Sequence, residues 1–411
     1  MRSTLLNYPP PWNWQDSQWI KIRGRVVAAR SSKFTTFFDL ENIGYRLQVV
    51  LEKEKQALMP ILGSLVCVQG LCRRSRLGEP SVWASGIEVI APWSAPEPYR
   101  SYERSGIWDE ITVAARPNAY HKLYAEAVAI QAARGVLEGQ GFLPVSTNAL
   151  ISKYNGGISA PMQASFMGHQ IGFLRTTLEE RMKAALVTGA ERVYQAGPVF
   201  RGGNEFVLWE GYAAWMSQGE GEKLIRRLLG AVAAAVGRSP TASAVAADLW
   251  EEIDFCETVR DRFGNNAVRR LDREQIQDLV VDLGVVKRRP YSAETAADKL
   301  GKYLVRMRPG PVLLRGYPLC SSPLYRPMLS NEDFLERTKG FLNGNAVYDG
   351  GLEENDVEAV RTRIARQRSP HMLARRATEP DIVAVLKLGL PPAYGFGVNM
   401  NRVFDLLYEE S

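Results

Sequence analysis

The spacing of hydrophobic and polar residues divides the chain into two parts. From Trp19 to Ile90, apolar and polar residues alternate in short runs, the period of two that is typical of half-buried β-strands. The runs read WIKIRGRVVAAR, TTFFDLEN, YRLQVVLE, SLVCVQGLCRR and SVWASGIEVI. Turn residues separate them, so this part predicts a small five-stranded β-barrel.

Helical spacing dominates the second part. Residues 119–139 predict an amphipathic helix, and four more helical segments follow between residues 221 and 300. They read GEKLIRRLLGAVAAAVG, ADLWEEIDFCETVRD, REQIQDLVVDLG and AETAADKLGKYLVR. We therefore expect an α+β chain with an irregular arm at 1–18, a barrel of the OB type at 19–95, a proline-rich linker at 96–115 and a larger domain at 116–411.

Composition adds few constraints. A chain of 411 residues has room for two domains, and its net charge of +6 permits a nucleic-acid partner without requiring one. The four cysteines lack CxxC spacing and there are only three histidines, so we predict no metal site of the zinc type and reduced thiols. Without a long apolar run we expect no membrane contact and a cytoplasmic location.

Residues 189–212 predict a hairpin with candidate chemistry. An apolar strand ends at Arg201, a Gly-Gly-Asn turn follows, and a second strand begins at Glu205. Alternation places Phe206, Leu208 and Glu210 on one face of that second strand. An arginine beside an aromatic and acidic strand is suited to an anionic planar ligand such as a nucleotide. The alternative is a surface hairpin whose charges have no function.

The C-terminal segment GLPPAYGFGVNMNRVFDLLYEE carries a second candidate site. Gly395 and Gly397 lie in a predicted strand, and Arg402 falls in the first turn of the helix that follows. Glycine permits a ligand to approach the backbone, and an arginine there can reach a phosphate. With the hairpin about two hundred residues earlier, this segment resembles motifs 2 and 3 of the class II aminoacyl-tRNA synthetases. The similarity is greatest to the lysyl, aspartyl and asparaginyl branch, and within it to the lysyl enzymes.

The resemblance implies an antiparallel catalytic sheet flanked by helices, with ATP as cofactor. By analogy, Arg201 and Arg402 are the catalytic arginines that bind phosphate, and Phe206 stacks on adenine. Glu205 and Gly397 complete the ATP-binding set. The segment from 119 to 150 resembles motif 1, which forms the homodimer interface of this class, although Asn148 stands where the family has proline.

The same resemblance implies a pocket for an amine-bearing amino acid. Glu179 matches the residue that holds the α-amino group, and Glu210 with Tyr212 matches the E-x-Y used on the side-chain amine. For Glu179 the alternative is a solvated residue in the first turn of a helix, favoured there by the helix dipole. The remaining predicted substrate contacts are Gly157, Asn345, Asp349 and Asn399, the last of which replaces a glycine on the pocket floor.

Departures from the family pattern leave the activity open. Leu335 and Leu342 align with the two glutamates that hold Mg²⁺ in relatives, and leucine cannot ligate Mg²⁺. The motif 2 turn is also shortened. We expect either an enzyme that forms an aminoacyl-adenylate, with tRNA or another nucleophile as acceptor, or a degenerate paralog that binds tRNA or an amino acid without chemistry. A regulatory subunit of a true synthetase is a third alternative.

The predicted barrel carries a local basic excess. Between Trp19 and Ala95 there are 11 Lys or Arg residues and 6 Asp or Glu residues, a balance of +5. Basic residues near aromatic ones favour stacking on unpaired bases. The predicted nucleic-acid contacts are Arg25, Phe34, Phe37 and Trp83. Alternation requires that one of Phe37 and Phe38 fill the barrel core, and a barrel that no longer meets RNA is the alternative.

Overall fold

A computed structural model describes residues 17–31, 35–42, 45–52, 59–74, 78, 80–94, 119–152, 162–366 and 381–408. The chain forms two compact units, one up to Glu126 and one from Ala127 onward. The predicted arm up to residue 16 and the linker at 96–115 lie outside the described residues. The domain boundaries given above therefore stay a prediction. No helix in the described ranges is long and apolar enough to cross a membrane.

The first unit contains the predicted five-stranded barrel. Its strands are β1 (Trp19–Ser31), β2 (Thr35–Asn42), β3 (Tyr45–Glu52), β4 (Leu65–Arg74) and β5 (Pro80–Ala91). They close in the order β1-β2-β3-β5-β4, with β3 and β5 parallel. Phe38 is fully buried in the core while Phe37 is only partly buried, as alternation requires. One close approach depends on glycine, since a Cβ on Gly70 would lie 2.1 Å from the carbonyl oxygen of Trp83.

The second unit is built on an eight-stranded sheet flanked by helices. The strand order is β12-β13-β14-β15-β16-β11-β10-β6, and every pairing is antiparallel except β12 with β13 and β10 with β6. The strands are β6 (Leu143–Pro144), β10 (Arg192–Arg201), β11 (Asn204–Ala214), β12 (Glu251–Asp254), β13 (Pro311–Arg315), β14 (Arg337–Leu342), β15 (Asn345–Leu352) and β16 (Ala393–Asn399). A small sheet, β7-β9-β8, is formed by β7 (Leu150–Ile151), β8 (Met162–Phe166) and β9 (His169–Leu174). The predicted α+β fold class is confirmed.

Helices pack around these strands. They are α1 (Ala119–Gly139), α2 (Glu179–Val187), α3 (Gln218–Val236), α4 (Pro240–Ala246), α5 (Phe255–Phe263), α6 (Asn265–Val268), α7 (Ile276–Asp282), α8 (Ala293–Val305), α9 (Val357–Arg366), α10 (Asp381–Lys387) and α11 (Met400–Leu407). Serine caps begin α3 and α8, where the side chains of Ser217 and Ser292 accept a hydrogen bond from a backbone N–H in the first turn.

One predicted helix is wrong over part of its length. Within ADLWEEIDFCETVRD, residues Glu251–Asp254 form strand β12 beside β13, and only Phe255–Phe263 is helical. The side chain of Asp254 accepts a hydrogen bond from the N–H of Glu257, so Asp254 is the N-cap of α5. The cap divides the segment because an N-cap residue takes an extended conformation.

Candidate functional site

Several of the candidate residues lie on one face of the large sheet. A row of directly opposed positions crosses β10, β11, β16, β15 and β14, and it consists of Gln195, Glu210, Gly397, Asp349 and Lys339. A second row consists of Tyr212, Gly395, Gly351 and Arg337. Opposed residues of antiparallel strands point to the same face, so these two rows form a common floor. The sheet thus brings motifs that are far apart in the sequence onto one surface.

Glycine at position 395 leaves space for acidic and aromatic side chains. A Cβ there would lie 2.1 Å from Oε1 of Glu353 and 2.5 Å from the ring of Tyr212. No real Cβ tolerates such distances, so glycine at this point of β16 lets the side chains of Glu353 and Tyr212 pack against the strand backbone.

At one end of the floor, Lys183 joins two acidic residues. Its ammonium lies 2.6 Å from Oε1 of Glu179, one helical turn earlier in α2, and 2.5 Å from Oε2 of Glu353. It also lies 5.5 Å from the centre of the Tyr212 ring. The Lys183 side chain is only 1% exposed. Burial by itself lowers the pKa of Lys183, but the two carboxylates more than offset it, so the pKa is raised.

Glu210 is the third carboxylate of this group. Its Oε2 accepts a hydrogen bond of 2.7 Å from the N–H of Leu178, and its Oε1 accepts one of 3.1 Å from Thr177 Oγ1. The hydroxyl of Tyr212 donates to the same carboxylate at 3.3 Å. Burial and the nearby Glu179 charge raise the pKa of Glu210 to about 7. This carboxylate has backbone and hydroxyl donors.

The carboxylates outnumber the ammonium. Lys183 pairs with both Glu179 and Glu353, so these three groups carry one excess negative charge when both acids are ionised, while Glu210 lies within reach of the charges of Glu179 and Arg201. Burial is the main cause that raises the pKa of Glu353 above its ordinary value, against the opposing effect of the Lys183 charge. Buried carboxylates with too few cations are stabilised by a further cationic group, so this end of the floor is suited to an amine.

The β10–β11 hairpin lies at the other end of the floor. Gly202 and Gly203 form a two-residue turn with φ of 58° and 86°, which favours glycine. Arg201 donates from Nε to the carbonyl oxygen of Thr176 at 2.7 Å, and its guanidinium lies 5.6 Å from the centre of the Phe206 ring. Glu205 is exposed beside the turn. Arg201 and Phe206 are therefore neighbours. A site that binds a phosphate next to a stacked base requires such an arrangement.

Arg175 donates a hydrogen bond to strand β10 of this hairpin and was not among the predicted site residues. It donates from Nε to the carbonyl oxygen of Pro198 at 2.8 Å and from Nη1 to that of Thr147 at 2.7 Å. A Cβ on Gly197 would lie 2.6 Å from Nη2 of Arg175. The guanidinium thus joins β10 to the segment after β6.

The start of α11 brings Arg402 to the neighbouring strand. Its Nη1 donates to the carbonyl oxygen of Ala346 in β15 at 2.6 Å. The side chain of Asn399 accepts a hydrogen bond of 3.0 Å from the backbone N–H of Arg402 and caps the helix. Asn345 lies at the β14–β15 turn, where its Nδ2 donates to the carbonyl oxygen of Asn343 at 3.2 Å. The amides of Asn399 and Asn345 are thus both engaged with backbone groups.

Asp349 is held by two cations of β14. Arg337 donates from Nε and Nη2 to its two carboxylate oxygens at 2.9 and 2.7 Å, and the Lys339 ammonium lies 3.3 Å from Oδ2. Burial by itself raises the pKa of Asp349, but Arg337 and Lys339 outweigh it and hold that pKa well below its ordinary value. Lys339 also pairs with Asp298 of α8 at 2.7 Å.

The described residues do not offer Mg²⁺ a set of oxygen ligands. Leu335 and Leu342 are fully buried hydrocarbons. Opposite Asp349 on the floor, β14 presents the cation Lys339. Nowhere in the described ranges do three or more His, Cys, Asp or Glu residues form a group that could hold a metal ion. Mg²⁺ requires near-octahedral oxygen donors, so the residues present do not fit it.

Sequence reasoning missed three residues of this floor, namely Glu353, Arg337 and Lys339. A signal for Glu353 existed, because counting by two from Asp349 through Gly351 reaches this residue, which directly follows β15. Of the predicted residues, Gly157 lies outside the part of the chain that the structure describes.

The predicted nucleic-acid residues lie in the first unit. The guanidinium of Arg30 lies 5.6 Å from the centre of the Phe37 ring, and that of Arg73 lies 5.3 Å from the ring of Trp83. Both rings are partly buried. Arg25 donates from Nη1 to the carbonyl oxygen of Gly63 at 2.6 Å, and Phe34 lies outside the described residues. The barrel thus has two arginine–aromatic pairs of the type that stacks on bases.

Comparison with known proteins agrees with this geometry. A family model described as tRNA synthetases class II (D, K and N) matches residues 110–411. The lysine–tRNA ligase of Clostridium perfringens strain ATCC 13124 is 24% identical, over 95% of this chain and 85% of its own length. The lysine–tRNA ligase of Chloroflexus aurantiacus is 25% identical, over 84% and 75% respectively. A probable cytoplasmic lysine–tRNA ligase of Enterocytozoon bieneusi is 24% identical, over 93% and 83%. Both conserved motifs and the sheet that joins them are thus accounted for, and the chain belongs to the class II tRNA synthetases of the D, K and N group.

Proposed function

We propose that this chain activates an amine-bearing, lysine-like amino acid with ATP and transfers the aminoacyl group to an acceptor. The observation that carries the proposal is the arrangement of the floor. Three carboxylates, Glu179, Glu210 and Glu353, gather at one end, where Lys183 pairs with two of them, and Arg201 lies beside Phe206 at the other. The similarity to lysine–tRNA ligases supports the same assignment.

Each predicted residue has a role in this scheme. Glu179 binds the α-amino group, and Glu210, Tyr212 and Glu353 bind the side-chain amine. Phe206 stacks on adenine, while Arg201 and Arg402 stabilise charge on the phosphates. Glu205 and Gly397 are further ATP contacts, and Gly157, Asn345, Asp349 and Asn399 are further amino-acid contacts.

The reaction is an in-line displacement at phosphorus. An oxygen of the substrate carboxylate bonds to the α-phosphorus, the bond from that phosphorus to the bridging oxygen breaks, and pyrophosphate leaves with both electrons. Catalysis then depends on positioning and on the two arginines, since the protein forms no covalent bond. An acceptor hydroxyl or amine next attacks the acyl carbon and AMP departs.

The proposal also includes the acceptor of the aminoacyl group and the oligomeric state of the chain. The arginine–aromatic pairs at Phe37 and Trp83 support tRNA binding by the barrel, together with Arg25 and Phe34. The short turn at Gly202 and Gly203 leaves little chain to guide a tRNA acceptor end, which favours a specialised nucleophile as acceptor. A homodimer through the α1 segment and a cytoplasmic location are part of the same proposal.

Pyrophosphate exchange tests the activity. ATP labelled by exchange with radioactive pyrophosphate is measured with lysine, β-lysine, ornithine, aspartate and asparagine in turn. We expect exchange with one of the three amine-bearing amino acids. Exchange with aspartate or asparagine alone contradicts the assigned pocket, and no exchange from folded protein, with tRNA and with Mn²⁺ also tried, contradicts the activity.

A degenerate paralog that binds tRNA or an amino acid is the second candidate. It is favoured by the fully buried Leu335 and Leu342, which align with the two glutamates that hold Mg²⁺ in relatives. The variant Arg402→Ala separates the two candidates, because the Asn399 side chain caps α11 without the guanidinium. Loss of exchange with unchanged thermal unfolding supports the enzyme, and unchanged amino-acid and tRNA binding without any exchange supports the binding module.

A further inference from the structure

Four charged side chains form a closed network on the floor, which we call the β14 quartet: Arg337 and Lys339 of β14, Asp349 of β15 and Asp298 of α8. Every cation contacts both carboxylates, and the longest of the four distances, from Arg337 Nη2 to Asp298 Oδ1, is 3.8 Å. The network has two positive and two negative charges, so it is neutral as a whole.

The two cations are fixed from several sides. Arg337 donates from Nη1 to both the carbonyl oxygen and the hydroxyl of Ser321 at 2.9 Å. Its guanidinium lies 5.1 Å from the Tyr317 ring and 5.3 Å from the Tyr325 ring. Lys339 lies 5.5 Å from the same Tyr317 ring. Side chains held by this many partners lose little entropy when they serve as fixed charges.

Both carboxylates of the quartet are already paired with cations. Both oxygens of Asp349 accept hydrogen bonds from Arg337, and Oδ1 of Asp298 pairs with Lys339. A Mg²⁺ ion bound to either carboxylate at about 2 Å would lie close to an ammonium or guanidinium, and like charges at such distances repel strongly. The resident cations therefore exclude a metal from these oxygens.

We propose that the β14 quartet replaces a protein-held divalent cation, so that this chain binds its nucleotide without a metal ligand of its own. The inference rests on the proposed function only in requiring that a nucleotide binds. The charges of Lys339 and Arg337 are balanced within the quartet by Asp349 and Asp298, so the phosphates depend for their binding on Arg201 and Arg402.

Two binding measurements on the full chain test this. Calorimetry gives the dissociation constant of the ATP analogue AMP-PNP with excess Mg²⁺ and again with excess EDTA. We expect the two constants to agree within about threefold. Electron paramagnetic resonance of Mn²⁺ then measures metal bound to the protein, with and without AMP-PNP, and we expect no more bound Mn²⁺ than the analogue alone binds.

The variant Lys339→Glu adds a carboxylate and removes the excluding charge. We expect it to gain Mn²⁺ binding by about tenfold or more over the wild type. Lys302→Glu, on the exposed face of α8, is the matched control with the same charge change and leaves Mn²⁺ binding unaltered. In Lys339→Glu the new carboxylate lies beside Asp298 and Asp349. If these three acids prevent folding, Lys339→Met is used instead, because it too removes the ammonium.

The outcomes are distinct. A wild type that binds AMP-PNP only with Mg²⁺, or that holds Mn²⁺ tightly, overturns this inference and leaves the proposed function intact. Absence of AMP-PNP binding under both conditions overturns the inference together with the nucleotide part of the proposed function. A folded Lys339→Glu variant that gains no Mn²⁺ shows that Lys339 does not exclude the metal and also overturns the inference.

Discussion

The ammonium of Lys183 lies 2.5 Å from Oε2 of Glu353, although the two residues are 170 positions apart in the sequence. The contact joins helix α2 to the end of strand β15 beneath the candidate pocket. Both side chains are almost completely buried, at 1% and 3% exposed. Removing one partner of such a buried pair destabilises the fold, because the remaining charge is buried without a partner and without water.

Lys183→Met is therefore expected to lower the free energy of unfolding by about 3 kcal/mol at pH 8. The methionine fills the space but leaves Glu179 and Glu353 without their cation. Urea unfolding followed by fluorescence measures the change. Lys302→Met, an exposed lysine on α8, is the control and should change stability by less than about 0.5 kcal/mol. A loss below about 1 kcal/mol for Lys183→Met contradicts the role given to this ammonium.

The raised pKa of Glu210 makes stability depend on pH. Because its pKa is about 7 in the folded chain, against an ordinary value of 4.5, the folded state keeps a proton that the unfolded chain has released. Its contribution to stability is therefore present below pH 4.5 and is lost as the pH rises through 7. We expect Glu210→Gln to flatten the decline in unfolding free energy between pH 5 and pH 8, and exposed Glu274→Gln to leave it unchanged.

The same titration predicts tighter amine binding at higher pH. Ionised Glu210 adds a negative charge to the pocket, so calorimetric affinity for lysine should rise between about pH 6 and pH 8. Glu210→Gln should bind more weakly and show little of this rise. Equal pH profiles for the variant and the wild type would exclude Glu210 from amine recognition.

Gly395→Ala and Gly397→Ala form a matched pair on strand β16. A Cβ at position 395 would lie 2.1 Å from Glu353 and 2.5 Å from Tyr212, whereas one at position 397 meets nothing closer than 3.6 Å. We expect Gly395→Ala to lower the unfolding free energy by about 2 kcal/mol and to weaken amino-acid binding. Gly397→Ala should unfold like the wild type. Similar unfolding energies for both variants would contradict the pocket geometry around Tyr212.

Trp83→Ala tests nucleic-acid binding by the barrel. The ring is partly buried under Arg73, and loss of one stacked base weakens single-strand binding by about tenfold. Fluorescence anisotropy with labelled single-stranded RNA at two salt concentrations measures this. Val89→Ala, an exposed apolar residue of the same strand β5, is the control. RNA binding that is equal for the two variants would favour a barrel that no longer meets RNA.

The alternation of residues in the strands and the residue types in the turns determined much of the secondary structure of this protein. Five alternating runs predicted the barrel, and Gly202 and Gly203 between two apolar strands predicted the hairpin, because both signals depend on neighbours in the sequence. The same local reasoning was wrong for Glu251–Asp254, where pairing with β13 and the Asp254 cap produce a strand in place of a helix.

The contents of the site were decided by tertiary structure. Nothing in the local pattern shows that Lys183 and Glu353 meet, or that Lys339 opposes Asp349 on a common floor. Those contacts depend on the register of β14, β15 and β16, which the whole sheet sets through long-range pairing. The sequence determined which charges this chain possesses, and only the packed sheet determined which of them neutralise one another and which are left for a ligand, because charge energies depend on distance and burial.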